Sequence, residues 1–149
     1  MAFTCDDAAS SKVVTAVAAK DRCVLAFDTA NEVIALGVGV LDAETKTIRC
    51  VHSEVIEAHR ASNTQLVPSI DRVLSQYGIT RAQISCVVCG RGPGSFTGVR
   101  IALATAKGIA HALGVALVGV STLDAIAWGA QVAGVCGTGA VVADAMRRE

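Results

Sequence analysis

The order of its segments predicts an α/β protein built on a mixed sheet. Three strands joined by short connections come first, then helices and strands alternate. A glycine-rich turn links a buried strand to the longest helix. The short links make the first three strands antiparallel, and the later alternation implies parallel pairing through crossovers. At 149 residues, the chain has the length of one domain with a sizeable core.

Arg22 to Phe27 is the first convincing strand, ending at Asp28-Thr29-Ala30-Asn31-Glu32. Val33 to Leu41 and Thr45 to Val55 follow, joined by the turn Asp42-Ala43-Glu44. Ser62-Asn63-Thr64-Gln65 has the pattern of a capping box. After it, Leu66, Val67, Ile70, Val73, Leu74 and Tyr77 share one face of a helix that Gly78 ends. Pro68 falls inside, which implies either a kink or a later regular start.

The apolar run Ile84 to Cys89 reads as a strand buried on both faces. Beyond the glycine turn, a helix runs without a breaker from Val99 to Leu113 and ends at Gly114. Val115 to Val120 is a further strand, and Ser121-Thr122-Leu123-Asp124 opens a helix through about Gln131 with a second capping pattern. Gly134 to Gly139 reads as a loop, and Ala140 to Ala143 as the start of another strand.

The turn itself, Gly90-Arg91-Gly92-Pro93-Gly94-Ser95-Phe96-Thr97-Gly98-Val99-Arg100, leaves little room for side chains, so its backbone can approach another group closely. A strand, glycine turn and helix together suggest anion binding at the helix amides. The spacing departs from the common versions. Gly98 is followed by Val99-Arg100 rather than Lys and a hydroxyl residue, and the glycines at 90, 92 and 94 miss the last position of the dinucleotide fingerprint. The plainer reading is a structural turn that lets helix and sheet pack. Asp28 and Thr29, at a strand end, could face a phosphate or metal ion, while turn chemistry, in which Asp and Asn bond nearby backbone amides, is the plainer job for them.

In the long helix, Gly98, Ala102, Ala106 and Ala110 recur at intervals of four and give one face with almost no bulk. That face either packs on the sheet or admits a helix of a partner chain.

Charge is balanced at 13 basic and 13 acidic residues, so nothing marks an autonomous nucleic-acid binder. The six cysteines are scattered, which fits free thiols in a reducing cytoplasm. Cys86 and Cys89 are three apart in a strand and point to opposite faces, so they cannot chelate one ion. His52, His59 and His111 have no ligand spacing, and no Ser-His-Asp arrangement or Gly-x-Ser-x-Gly elbow is found. Nothing is long and apolar enough to read as a membrane span.

The pieces resemble the half-domain of the actin-like and sugar-kinase ATPase (ribonuclease H-like) fold, here a five-stranded mixed sheet with flanking helices. Within that class, the Gly90 to Ile101 stretch with Ala104-Thr105-Ala106-Lys107-Gly108 is similar to the signature of the bacterial TsaB (YeaZ) family. Leu25 to Ala30 and Val118 to Leu123 fit as well.

The resemblance implies a non-catalytic subunit in threonylcarbamoylation of the adenosine beside the anticodon of certain tRNAs. It implies pairing with the catalytic subunit TsaD, with the ATPase TsaE joining, a homodimer when alone, and only indirect contact with tRNA. No cofactor is expected in the isolated chain, with ATP or ADP possible at the complex interface. Carried over, the motif loop comprises Gly92, Pro93, Gly94, Ser95, Phe96, Thr97, Gly98 and Arg100. The expected partner face comprises Ser62, Leu66, Ile70, Val73, Gly98, Ala102, Thr105, Ala106 and Ile109. Ser62 stands where many family members carry His.

The expected organisation is a loose extension over residues 1–20, the half-domain over 21–138, and the entry to a second subdomain over 139–149. The alternative is an ATP-binding or metal-dependent hydrolase of the M22 peptidase-like class, using Asp28 and the Gly92 to Gly98 loop.

Overall fold

The computed structural model describes residues 3–4, 17–58 and 61–142. Its strands are β1 (Phe3–Thr4), β2 (Arg22–Asp28), β3 (Val33–Leu41), β4 (Ile48–Glu57), β5 (Ile84–Gly90) and β6 (Ala116–Val120). The helices are α1 (Ser62–Gln76), α2 (Phe96–Leu113) and α3 (Thr122–Val132), with a short 3-10 turn at Arg81–Gln83.

The strands lie in the order β1-β4-β3-β2-β5-β6. β2, β3 and β4 pair antiparallel, whereas β5 joins β2 and β6 joins β5 in parallel. This is the expected mixed sheet of the actin-like, ribonuclease H-like half-domain, with one addition. Phe3–Thr4, read from sequence as loose extension, pair in parallel with Ile48–Arg49 outside β4. Residues 1–2 and 5–16 lie outside the described residues, as do His59 and residues 143–149. Residues 140–142 carry neither helix nor strand, so the strand expected from Ala140 is not seen there.

One sheet face is covered by α1 and α2. Leu25, Phe27, Ile34, Leu36, Val87 and Cys89 meet Leu66, Ile70 and Val73 of α1 and Ala102, Ala106 and Ala110 of α2. Alternation along the strands supplies the apolar layer, and the small α2 residues let the helix axis come near it. β4 is further tied to α1 by polar side chains. His52 Nδ1 lies 3.1 Å from the Tyr77 hydroxyl, and the Arg72 guanidinium donates to Glu54.

The helix ends follow local chemistry, with one departure. Gly78 and Gly114 take left-handed φ of 65° and 66° after α1 and α2, which a side chain would resist. Ser121 accepts the Asp124 N–H at 3.3 Å, as its capping pattern predicts. Ser62 does not cap α1. Ala61 stands at that position with no side-chain bond, and Ser62 is turned inward and buried. Pro68 removes one N–H from the second turn, yet the helix continues past it.

Candidate functional site

Three strand ends meet the glycine turn. β2 ends on Asp28, β5 on Gly90 and β6 on Val120, and the turn from Arg91 to Ser95 passes over them into α2. Ser95 starts that helix, its hydroxyl accepting the Gly98 N–H at 3.3 Å. The helix begins at Phe96, three residues before its sequence-predicted start, because this cap and Gly98 allow it.

The turn is filled by the chain's own β2–β3 connection. A Cβ at Gly90 would overlap the Asp28 carboxylate, one at Gly94 the Ala30 carbonyl, and one at Gly98 the Thr29 carbonyl. Hydrogen bonds lock the two segments together. The Thr29 hydroxyl donates to the Gly98 carbonyl at 2.7 Å, and the Ser95 N–H donates to the Ala30 carbonyl at 2.7 Å. Asp28 accepts the Ala30 N–H at 2.7 Å on one oxygen and the Thr122 hydroxyl at 2.6 Å on the other. The Thr122 N–H donates to the Gly92 carbonyl at 2.9 Å, which ties α3 to the same knot.

The close backbone approach predicted for these glycines is therefore present, but what approaches is protein. Asp28 and Thr29, candidates for a phosphate or metal, spend their polar atoms on this knot, and Thr29 is fully buried. Turn chemistry is the role they fill here.

Beside the knot lies a groove of about 500 Å³ between the β2–β3 connection, the start of α2 and α3. Asn31, Ser62 and Thr97 give it polar edges, and Ile101, Leu123 and Ile126 an apolar wall. Among the described residues lining it, Glu32 alone is charged, so the groove brings no cation to meet a phosphate. No three His, Cys, Asp or Glu side chains converge among the described residues.

The expected partner face is turned the other way. Leu66, Ile70, Val73, Ala102 and Ala106 are buried in the chain's own α1–α2–sheet core, Ser62 and Gly98 are buried at the floor of the groove, and Thr105 and Ile109 are half-buried. The small-residue stripe thus takes the first of its two readings, packing on the sheet. What α2 offers outward is Phe96, 75% exposed, with the Arg100 guanidinium carbon 5.2 Å from its ring centroid. Pro93, Gly94 and Thr97 are exposed beside it, while Gly92 is buried.

Cysteine chemistry follows burial. Cys86 sits half-buried and Cys89 fully so, consistent with opposite faces of β5. Desolvation raises the thiol pKa values of Cys23, Cys86 and Cys89, with the nearby Asp21 adding to the first and Asp28 to the last. The upward shift disfavours the nucleophilic thiolate at all three positions. Phe96, Arg100, Ala104 and Gly108 entered the sequence reading only through the family motif, and Ala30 and Thr122 only as members of longer segments, so neither the outward stripe nor the knot was read as such. Only the recurrence of Phe96, Arg100, Ala104 and Gly108 at intervals of four could have marked that outer stripe.

The sequence and the fold are similar to those of known proteins. The family described as TsaD, tRNA N6-adenosine threonylcarbamoyltransferase, matches residues 47–148. The tRNA threonylcarbamoyladenosine biosynthesis protein TsaB of Escherichia coli is 33% identical over 110 residues, covering 72% of this chain and 43% of that protein. Its Haemophilus influenzae counterpart is 36% identical over 104 residues, covering 70% and 41%. The solved YeaZ from Pseudomonas aeruginosa superposes with a TM-score of 0.60 at 34% identity, over 73% of this chain and 48% of that one. The chain spans about half the length of the relatives it matches. No described helix is long and apolar enough to cross a membrane.

Proposed function

Because the chain belongs to the TsaB (YeaZ) family, we propose that it serves threonylcarbamoylation of tRNA adenosine as a subunit that docks on the TsaD-type transferase and supplies no reacting group. The observation that carries this reading is the filled glycine turn. A strand–turn–helix that could cradle phosphate instead grips Asp28, Thr29 and Ala30 of its own chain. The bonds of Thr29, Ser95 and Thr122 across it hold α2 and α3 in place, so what the site supports is a helical surface. That surface, the outward side of the α1–α2 layer, is where the transferase is proposed to bind. Contact with tRNA is then indirect, through the assembled complex, in keeping with the balanced charge.

Reconstitution tests this. Threonylcarbamoyladenosine formation on a substrate tRNA is measured with the transferase and its ATPase partner, with and without this chain. The expected result is turnover that depends on the chain and is absent with the chain alone. Equal turnover in its absence, or ATP hydrolysis by the purified chain by itself, would overturn the proposal.

A further inference from the structure

The two edges of the sheet differ in how they are guarded. At one, β1 covers the start of β4, and β4 itself carries Arg49, Glu54 and Glu57. At the other, β6 has β5 as its only neighbour among the described strands, and Ala116 to Val120 include no charge, no proline and no bulge. Charged side chains, prolines and bulges are the usual protection against strand addition, and this edge has none of them. Leu117 and Val118 are 39% and 46% exposed, and Ala116 and Gly119 are exposed as well.

Alternation fixes which backbone groups face outward. The Val120 carbonyl accepts the Arg91 N–H at 2.9 Å on the β5 side, so Val118 and Ala116 turn their N–H and C=O groups to β5 as well. Leu117 and Gly119 then turn theirs away from the sheet. Among the described residues no other backbone group bonds to them. Before Leu117 the edge is closed, because the Val115 N–H donates to the Ala110 carbonyl at 3.0 Å.

We infer that β6 is the seat of a strand-to-strand contact with a second copy of this chain, antiparallel about a two-fold axis at Val118, which joins two six-stranded sheets edge to edge. The strand is its own complement. In that register Leu117 stands opposite Gly119 of the second copy, and each such pair exchanges both of its N–H···O=C bonds, so every outward group of the strand is satisfied. Val118 meets its own copy at the closer, non-bonded position, where β-branched side chains pack against each other. Size matches too, since leucine faces glycine and Ala116 faces Val120. A Cβ at Gly119 would stand 3.5 Å from the Arg91 stem, which gives the incoming leucine an apolar flank while the exposed Arg91 keeps its charge in water. From Val115 to Val142 the only charged residue is Asp124, so the paired strands set no like charges against each other. The contact uses none of the outward residues of α1 and α2, and it stands or falls apart from the pairing proposed above.

The test follows the mass of the 149-residue chain by sedimentation equilibrium over a range of concentrations, together with amide exchange at Leu117 and Gly119 by NMR. The expected result is a mass rising to that of two chains, with protection of these two amides rising in step. Val118→Lys sets two ammonium groups opposite each other and should weaken self-association at least about tenfold. Val118→Thr, β-branched and uncharged, should retain it. Exchange in the wild-type chain decides the matter even where a variant fails to fold. A chain that stays monomeric throughout overturns the inference. So does a dimer whose Leu117 and Gly119 amides exchange as freely as in the monomer, or one that a folded Val118→Lys leaves intact, because the second copy then sits on another face. Protection of these amides that appears only on adding the transferase subunit makes that subunit the occupant and overturns the inference as well.

Discussion

Asp28 and Thr122 lie 94 positions apart in the chain and share a 2.6 Å hydrogen bond, which fastens the end of β2 to the start of α3. The other Asp28 oxygen holds the Ala30 N–H, so one carboxylate shapes the β2–β3 connection and anchors a helix. Thr122→Val keeps the shape and removes the donor. It should cost about 1 to 3 kcal/mol, the range for a hydrogen bond to a charged group or for stranding a buried partner. Asp28→Ala, which loses both bonds, should cost more than Thr122→Val. Urea denaturation checks the order, and equal midpoints for both variants and wild type would contradict the latch.

Two glycines of α2 should respond in opposite senses to the same methyl group. At Gly98 a Cβ runs into the Thr29 backbone, whereas at Gly108 it meets open space. Gly108→Ala should stabilise the fold by about 0.5 to 1 kcal/mol, the helix penalty of glycine. Gly98→Ala should destabilise it by about 1 to 3 kcal/mol or more, since neither backbone can yield easily. Thermal melts of the two variants read the sign directly.

An alanine pair separates core from surface on the same helix. Ala106 has no exposed surface, and Ala104 is exposed. Ala106→Leu should lower stability by about 1 to 3 kcal/mol through overpacking. Ala104→Leu should leave stability within about 0.5 kcal/mol of wild type, as surface changes do. If Ala106→Leu melts like wild type, the inward orientation of the small-residue stripe is wrong.

At the β3–β4 turn, Asp42 accepts N–H bonds from Thr45 at 3.0 Å and Glu44 at 2.9 Å. These bonds, Thr45 first, hold its carboxyl below the ordinary 3.8. A lowered carboxyl pKa means the folded turn prefers the ionised form, so its support is complete above that ordinary value and is lost as pH falls through the folded one. Amide exchange at Glu44 and Thr45 should therefore show falling protection below about pH 4, after correction for intrinsic rates. Asp42→Asn should make that protection independent of pH over the same interval.

Much of the fold could be read from residue order alone. The strand from Val33 to Leu41, the helix ended by Gly78 and the C-terminal glycine of α2 each carry a local cause, and local causes are visible in a sequence. The capping pattern at Ser62 misled because burial outweighed it. Thr64 donates its hydroxyl to the Ala61 carbonyl instead, and Ser62 turns inward. The interval of four that groups Gly98, Ala102 and Ala106 gives a shared side and no direction, since a helix needs small residues wherever anything comes near. The knot was hidden for another reason. Its partners are Asp28, Gly90, Gly98 and Thr122, which only the closed sheet brings together. Both Asp28 and Thr29 satisfied the composition of a ligand loop while serving the architecture.

A vacant cradle can be redecorated residue by residue, because nothing in the chain depends on its outline. Here the hollow behind the glycines holds a tenon cut from the neighbouring hairpin, and the two pieces have one shape between them. Bulk added on either side calls for an equal retreat on the other, so Asp28, Thr29 and Ala30 and the three glycines that face them, Gly90, Gly94 and Gly98, are open to change only as a matched set.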